Sequence, residues 1–304
     1  MQRSTLPQQP LPSFKSYFQQ IEMLKSRGIL IANERTALAV LEYLSDFRLN
    51  EFCRALGNTN GSTPRAFDDL VKYYMLNQAL ISLLSKVLSE IEVSLRARLA
   101  YHFGRHDTTH LHDALYKPEY FYSRDYHSDF IALLENKRKS GRRMPIWEAV
   151  EYTTFAELAN LFSNLRPFIA DDISEIYGLE TDTAKSYFKA LSYLRNCCAH
   201  HELILLPRKM RDVAFDETIE HDFDVLHKTK DNQSRRSLYA SLCVMFLIYP
   251  DQAAFDAIVN LLDDYGVHIH DPIGLPIEWK DKLLNIVQTR AENCGHLRSP
   301  LRTS

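Results

Sequence analysis

The chain is poor in glycine, with only nine in 304 residues. Glycine is common in tight turns and hairpins, so this scarcity predicts long helices and few hairpins. The sequence also shows no internal repeat, no low-complexity tract and no series of strand-like segments. Its apolar residues recur instead at spacings of three and four, and we expect an all-α fold.

Cysteine is scarce as well, and its pattern does not indicate a disulfide framework. Five cysteines are scattered along the chain and none forms a CxxC pair, which is typical of reduced thiols in a cytosolic protein. Residues 1–14 lack the apolar core of a signal peptide. The most apolar stretch, 238–249, is well short of the ~20 residues that span a bilayer. We therefore expect a cytoplasmic protein that does not enter a membrane.

An excess of positive charge is also missing, because the net charge is −3. Any nucleic-acid site must then be a local basic patch. The densest run of cations comprises Lys137, Arg138, Lys139, Arg142 and Arg143. Such a run either contacts RNA phosphates or lies in a solvated loop. The solvated loop is the more common case for runs of charged residues.

Signatures of cofactor sites are absent from the sequence. Neither a Walker-type loop nor a GxGxxG run occurs, and we expect no nucleotide cofactor. His106, His110 and His112 resemble a metal cluster in composition, but their polar surroundings indicate a loop, so we expect no metal. Cys197 and Cys198 read as small core residues rather than nucleophiles, because catalytic partners are rarely adjacent in sequence.

Composition and periodicity predict three segments. Residues 1–65 form an N-terminal arm and helical segment, and 66–211 a helical core. Residues 212–304 form an acidic linker followed by C-terminal helices packed on that core.

Helix starts and stops follow from individual residues. Arg27-Gly28 is predicted to end the first helix, and Asn33 to cap a second one. The longest helix is predicted from about residue 70 to 103, where apolar residues form a continuous seam. Thr181 is predicted to cap the helix that leads to the most informative motif.

That motif is a polar cluster at the end of an apolar helix. The segment 191–207, LSYLRNCCAHHELILLP, carries Arg195, Asn196, His200 and His201. An arginine can bind a phosphate, and a histidine can transfer a proton near neutral pH. These two functions are the minimum needed to cleave RNA without a metal. The same spacing arises by chance elsewhere in the chain. The alternative is that Arg195 forms an ion pair at the core edge and His200 caps the helix C-terminus.

Residues elsewhere in the chain are predicted to support this cluster. Arg195 lies beside the apolar stripe of its helix, and a partly buried guanidinium needs an acceptor, which Glu92, Glu202 or an RNA phosphate would supply. Glu92 and Arg96 are four residues apart on the long helix, so they either form an exposed ion pair or Glu92 holds Arg195 or His200 in place. One helix does not aim Arg195 and His200 at the same point, and we expect a homodimer in which two copies share one cleft.

The run RNCCAHH resembles the RNxxAHH signature of HEPN-domain ribonucleases, in the Abi or abortive-infection subgroup. Four further segments resemble that family in the same order: FKSYFQQIEMLKSRGILI (14–31), YLSDFRLNEF (43–52), IEVSLRARLAYHF (91–103) and IWEAVEYTTFAELANLF (146–162). The resemblance covers residues 14–207. It departs at Glu202, where the family often has an arginine, and at Phe47, where it has a tyrosine.

The resemblance implies an α-helical HEPN core and a metal-independent endoribonuclease that cleaves single-stranded RNA. It also implies a role in phage defence or toxin–antitoxin pairing, with composite sites at dimer interfaces. A small partner RNA or an antitoxin is a further expected partner. The rival interpretations are a non-catalytic module that holds a small partner RNA and a helical protein-interaction scaffold.

We expect the 2′-hydroxyl of the RNA to attack the adjacent phosphorus, giving a 2′,3′-cyclic phosphate. His200 is the expected general base or acid, and Arg195 stabilises negative charge on the phosphoryl oxygens. Asn196 orients the histidine or the phosphate. His201 either supplies a second proton-transfer group or supports the fold.

Overall fold

A computed structural model of the chain describes residues 13–57, 66–106, 145–205, 213, 237–265, 275 and 278–293. Within these ranges the regular structure consists of eleven α-helices and one 3₁₀-helix, without a strand. The prediction of an all-α protein is thereby confirmed. The chain divides into two compact units, residues 1–74 and 75–304. The division into three segments at residues 65 and 211 stays a prediction.

The helices, in chain order, are α1 (Tyr17–Ser26), α2 (Glu34–Tyr43), α3 (Asp46–Gly57), α4 (Phe67–Gly104), α5 (Ile146–Ala149), α6 (Phe155–Ser163), α7 (Pro167–Ile176), α8 (Thr181–Ala199), α9 (Leu238–Ile248), α10 (Gln252–Asp264) and α11 (Trp279–Asn293). The 3₁₀-helix, Val150–Tyr152, follows α5 directly. None of the helices in the described ranges is both long and apolar enough to cross a membrane.

In the first unit, α1 packs against α2 in a helical pair. The chain leaves α1 through Gly28, whose φ of +84° is in the left-handed region that favours glycine. Asn33 then accepts hydrogen bonds from the backbone N–H groups of Arg35 and Thr36 at the start of α2. Both predicted boundaries, the end at Arg27-Gly28 and the cap at Asn33, are confirmed.

Helix α4 is the predicted long helix, and its 38 residues extend for about 57 Å. Its apolar seam is buried as the spacing predicts, and the buried seam residues in the second unit include Ile81, Leu84, Leu88, Ile91 and Leu95. Asn77 lies in the same seam and is also fully buried, although its side chain is polar. A buried amide needs hydrogen-bond partners, and those partners lie at the candidate site described below.

The prediction that Thr181 caps α8 is wrong. Glu180 occupies the N-cap position without a side-chain hydrogen bond, and Thr181 is the first helical residue. The Thr181 hydroxyl donates to the Asp171 carboxylate and also bonds with the hydroxyl of Ser174, both on α7. The helix therefore starts one residue earlier than predicted, and the Thr181 hydroxyl bonds to α7 instead of capping α8.

Helix α8 packs against α6, α7 and α9 in the second unit. Phe188 of α8 meets Phe162 and Tyr177 edge to face, with ring centroids 5.1 Å and 5.2 Å away. Every residue of α9 is buried. These contacts fix α8 on several sides and therefore hold its C-terminal end in place.

Candidate functional site

The motif residues lie at the C-terminal end of α8, where the chain turns sharply. His200 is the C-cap residue and His201 follows with a φ of +52°. The N–H of His201 donates to the Cys198 carbonyl at 3.0 Å, and the N–H of Glu202 donates to the Cys197 carbonyl at 2.8 Å. This pattern is a Schellman motif, in which glycine usually takes the left-handed position. A histidine holds that position here, and both histidines are exposed.

Asn77 of α4 clamps the chain just beyond this turn. Its Nδ2 donates to the carbonyl of Glu202 at 2.9 Å, and its Oδ1 accepts from the N–H of Ile204 at 2.9 Å. The amide therefore pairs with one donor and one acceptor of a segment that has left helical geometry. These two bonds tie the end of the motif to the long helix.

The neighbouring residue, Gln78, contacts the motif directly. Its Oε1 lies 2.9 Å from Nδ1 of His201. The Nε2 atom of Gln78 is buried and has no hydrogen-bond partner among the described residues. Consecutive residues of α4 thus hold the backbone after the turn and the side chain of one motif histidine.

Arg195 is held by Glu92, one of the acceptors that the sequence predicts. Nε of Arg195 lies 3.4 Å from Oε2 of Glu92. The Arg195 side chain is 38% exposed, whereas that of Glu92 is only 13% exposed. A largely buried carboxylate therefore anchors a guanidinium that still reaches the surface.

The second oxygen of Glu92 binds Arg96, so the carboxylate joins two arginines. Oε1 of Glu92 lies 2.9 Å from Nη2 of Arg96. Glu92 does pair with Arg96, but the pair is largely buried rather than exposed, and Glu92 also contacts Arg195. Attraction to the two guanidinium groups offsets the cost of removing this carboxylate from water.

Arg96 continues this network into the segment after α5. Its Nε donates to the carbonyl of Val150 at 2.8 Å, and its Nη2 donates to the carbonyl of Thr153 at 2.9 Å. Glu151 is more distant, with Oε2 4.0 Å from Nε of Arg96. Arg96 thus connects the carboxylate that holds Arg195 to two backbone carbonyls, and this restricts its movement.

The structure does not join Arg195 to the motif histidines. In the described part of the chain its ion pair is with Glu92, and no hydrogen bond links it to His200. Asn196 is half-buried and lies on the same helix face as Tyr193 and His200. Burial raises the pKa of Tyr193, and the nearby Cys197 adds to that rise, so its hydroxyl stays protonated at neutral pH.

The thiols beside the motif belong to the core, as the sequence predicts. Cys197 and Cys198 are each 2% exposed. Burial raises the pKa of Cys198 to about 12, so its thiolate is essentially absent at neutral pH. Burial and a protonated thiol fit the core role that the sequence predicts for Cys198.

The predicted RNA-binding cluster Lys137, Arg138, Lys139, Arg142 and Arg143 lies outside the described residues. So do His110 and His112, for which the sequence predicts no metal. Across the ranges that the structure describes, no group of three or more His, Cys, Asp or Glu side chains is placed to hold a metal ion.

Sequence reasoning missed Asn77 and Gln78 as parts of the site. By its spacing, Asn77 belongs to the apolar seam of the long helix. The sequence does contain an indication of its role, because it is the one amide among the apolar residues of that seam. A polar residue at a fully buried seam position requires specific partners, and this requirement identifies it as a clamp.

Comparison with known proteins identifies the chain by family. A family model described as Abi-like protein matches residues 39–205, which contain all of α4 and α8 and the RNCCAHH run. No curated protein and no solved structure matches the chain.

Proposed function

The chain belongs to the Abi-like protein family, and on that premise we propose that it is a HEPN-type endoribonuclease that cleaves single-stranded RNA without a metal. The family relates the chain to abortive infection, a form of phage defence. A toxin–antitoxin arrangement with a small partner RNA or antitoxin belongs to the same proposal. The observation that carries it is Arg195, a surface guanidinium held by the largely buried Glu92, five residues before a pair of exposed histidines.

The guanidinium of Arg195 is oriented for phosphate binding. Glu92 meets it at Nε. The two Nη groups, which have no acceptor among the described residues, are left to donate to phosphoryl oxygens. Arginine binds such oxygens with paired hydrogen bonds, and these bonds strengthen as negative charge develops during attack on phosphorus.

The exposed histidines supply proton transfer. In the proposed reaction the 2′-hydroxyl loses its proton and its oxygen attacks the adjacent phosphorus. The bond from phosphorus to the 5′-oxygen breaks, and that oxygen takes up a proton. His200 acts as general base or acid, and Asn196, on the same helix face, orients the imidazole or the phosphate. The products are a 2′,3′-cyclic phosphate and a 5′-hydroxyl.

A second copy of the chain completes the proposed site. Five residues of α-helix rotate by about 500°, so Arg195 and His200 point some 140° apart on a single helix. Within the second unit, Val93 next to Glu92 and Tyr193 next to the motif are 57% and 37% exposed. A homodimer that covers these side chains would bring the arginine of one copy to the histidine of the other.

The basic cluster at 137–143 is proposed to bind RNA phosphates outside the reacting centre. Such contacts carry no sequence information and weaken as the salt concentration rises.

The rival proposal is a module that holds RNA without cutting it. It is favoured by one observation, namely that Arg195 is paired with Glu92 and not joined to His200. A guanidinium arranged in this way can bind a phosphate without any proton transfer.

Product mapping separates these proposals. Purified protein is incubated with end-labelled single-stranded RNA in EDTA, and the new ends are analysed. We expect fragments that carry a 2′,3′-cyclic phosphate. Salt-dependent binding without new ends would establish the rival proposal, and no RNA affinity would favour a protein-interaction scaffold.

A further inference from the structure

The contact between Gln78 and His201 has features that simple support of the fold does not require. Oε1 of Gln78 lies 2.9 Å from Nδ1 of His201, whose imidazole is exposed. His201 adopts a φ of +52°, although its side chain makes that conformation unfavourable. Gln78 leaves its Nε2 buried without a hydrogen-bond partner among the described residues.

Each of these features costs stability, and a simpler residue would avoid each cost. A glycine would take the left-handed position without strain, as Gly28 does at the end of α1. An aliphatic residue at position 78 would leave no buried amide nitrogen. Local costs that concentrate on one pair of contacting residues are a mark of functional sites.

The orientation of the amide decides what the imidazole can do. Because Oε1 only accepts hydrogen bonds, Nδ1 of His201 must carry a proton and donate it. The neutral ring then has its lone pair on Nε2. When Nε2 takes up a proton, the bond from Nδ1 to Gln78 is kept. The reverse orientation would place N–H against Nδ1 and oppose protonation of the ring at that atom.

We propose that Gln78 is a positioning residue that holds His201 in the Nδ1–H tautomer, so that Nε2 of His201 accepts the proton of the RNA 2′-hydroxyl. The inference rests on the proposed ribonuclease function and divides the roles of its two histidines. As Nε2 takes the proton, the 2′-oxygen bonds to phosphorus and the bond from phosphorus to the 5′-oxygen breaks. His200, in its protonated form, gives a proton to the departing 5′-oxygen.

The tautomer is measured without RNA. The full-length protein is labelled with ¹⁵N-histidine, and long-range ¹H–¹⁵N spectra are recorded at about pH 8, where histidine is mostly neutral. The signals of His201 are those lost in His201→Asn, since asparagine tolerates the left-handed conformation. We expect a protonated Nδ1 and an unprotonated Nε2. A protonated Nε2 in the wild-type protein would overturn the proposal.

Two substitutions of Gln78 test its role. Gln78→Met keeps the length of the side chain but removes the acceptor, and Gln78→Glu keeps an accepting oxygen. Gln252→Met is the matched control, because Gln252 is also half-buried and its amide bonds to Asp256 on α10. We expect mixed tautomers of His201 in Gln78→Met and the wild-type tautomer in both other variants.

Cleavage kinetics give the second measurement. We expect Gln78→Met to lower kcat about tenfold or more with little change in KM, because proton transfer is impaired while binding is not. Gln78→Glu should retain most of the wild-type kcat. A wild-type kcat in Gln78→Met would overturn the catalytic part of the proposal. The expected tautomer in a protein that cuts no RNA would instead refute the ribonuclease function and leave the positioning by Gln78 intact.

Discussion

Glu92 and Arg195 form an ion pair in which Oε2 of the carboxylate lies 3.4 Å from Nε of the guanidinium. The other carboxylate oxygen lies 2.9 Å from Arg96, which in turn bonds to two backbone carbonyls. This series of contacts makes the position of Arg195 depend on a different helix. The charge of Glu92 thus affects both the fold and the direction in which Arg195 points.

Removing the charge of Glu92 should therefore impair cleavage by releasing Arg195. Glu92→Gln keeps the shape of the side chain but weakens its hold on Arg195, and we expect RNA cleavage to fall about tenfold or more, which corresponds to about 1.4 kcal/mol or more of transition-state stabilisation. The control is Glu151→Gln, because Glu151 also faces Arg96 but is 65% exposed and 4.0 Å away. Equal cleavage rates in the two variants would contradict the anchoring role.

The clamp formed by Asn77 should contribute strongly to stability. Asn77→Ala removes the partners of a part-buried carbonyl at Glu202 and a buried N–H at Ile204. We expect the free energy of unfolding to fall by about 2–5 kcal/mol, as measured by urea denaturation. Ser82→Ala, at an exposed position on the same helix, should change it by less than about 0.5 kcal/mol. A loss in Asn77→Ala as small as that of the control would show that the clamp is dispensable.

The left-handed backbone at position 201 predicts an unusual order of stability. His201→Gly and His201→Val both remove the imidazole and its contact with Gln78. Only valine must adopt a φ near +52° with a β-branched side chain. We expect the glycine variant to be more stable than the valine variant by about 1–2 kcal/mol in thermal or urea unfolding. The opposite order would mean that the turn has a different conformation.

The buried thiol of Cys198 predicts a pH dependence. Burial raises its pKa from an ordinary value near 9 to about 12, so folding favours the neutral thiol. Its contribution to stability is complete below about pH 9 and is lost as the pH rises towards 12. Cys198→Ala should show a smaller alkaline decline in the free energy of unfolding than the wild-type protein. Rapid alkylation of Cys198 in the folded protein near pH 8 would contradict its burial.

The sequence predicted well those features that depend on local pattern. Periodicity located α4 within three residues at its start, and the capping preference of asparagine identified Asn33. Burial of Cys197 and Cys198 followed from the apolar surroundings of their helix. Glu92 was one of three acceptors considered for Arg195, and only the packing of α4 against α8 selects it.

Features that depend on distant contacts were not predicted. Threonine is a preferred capping residue, but Thr181 lies inside α8 and its hydroxyl bonds to α7, a contact that the sequence does not reveal. The turn at His201 lacks the glycine that normally indicates a Schellman motif. Asn77 and Gln78 act on residues more than a hundred positions away, and such partners are determined by tertiary packing alone.

The central claim is that Arg195 and His200 act together on a phosphodiester bond. It is tested most directly by the rate at which Arg195→Ala and His200→Ala cut labelled single-stranded RNA in EDTA, with circular dichroism used to verify folding. Arg105→Ala and His106→Ala are matched controls, since both residues are exposed and lie outside the motif. We predict that both motif variants fold and lose cleavage by about a hundredfold or more, while both controls cut as the wild-type protein does. Wild-type cleavage by the folded Arg195→Ala and His200→Ala proteins would contradict the account.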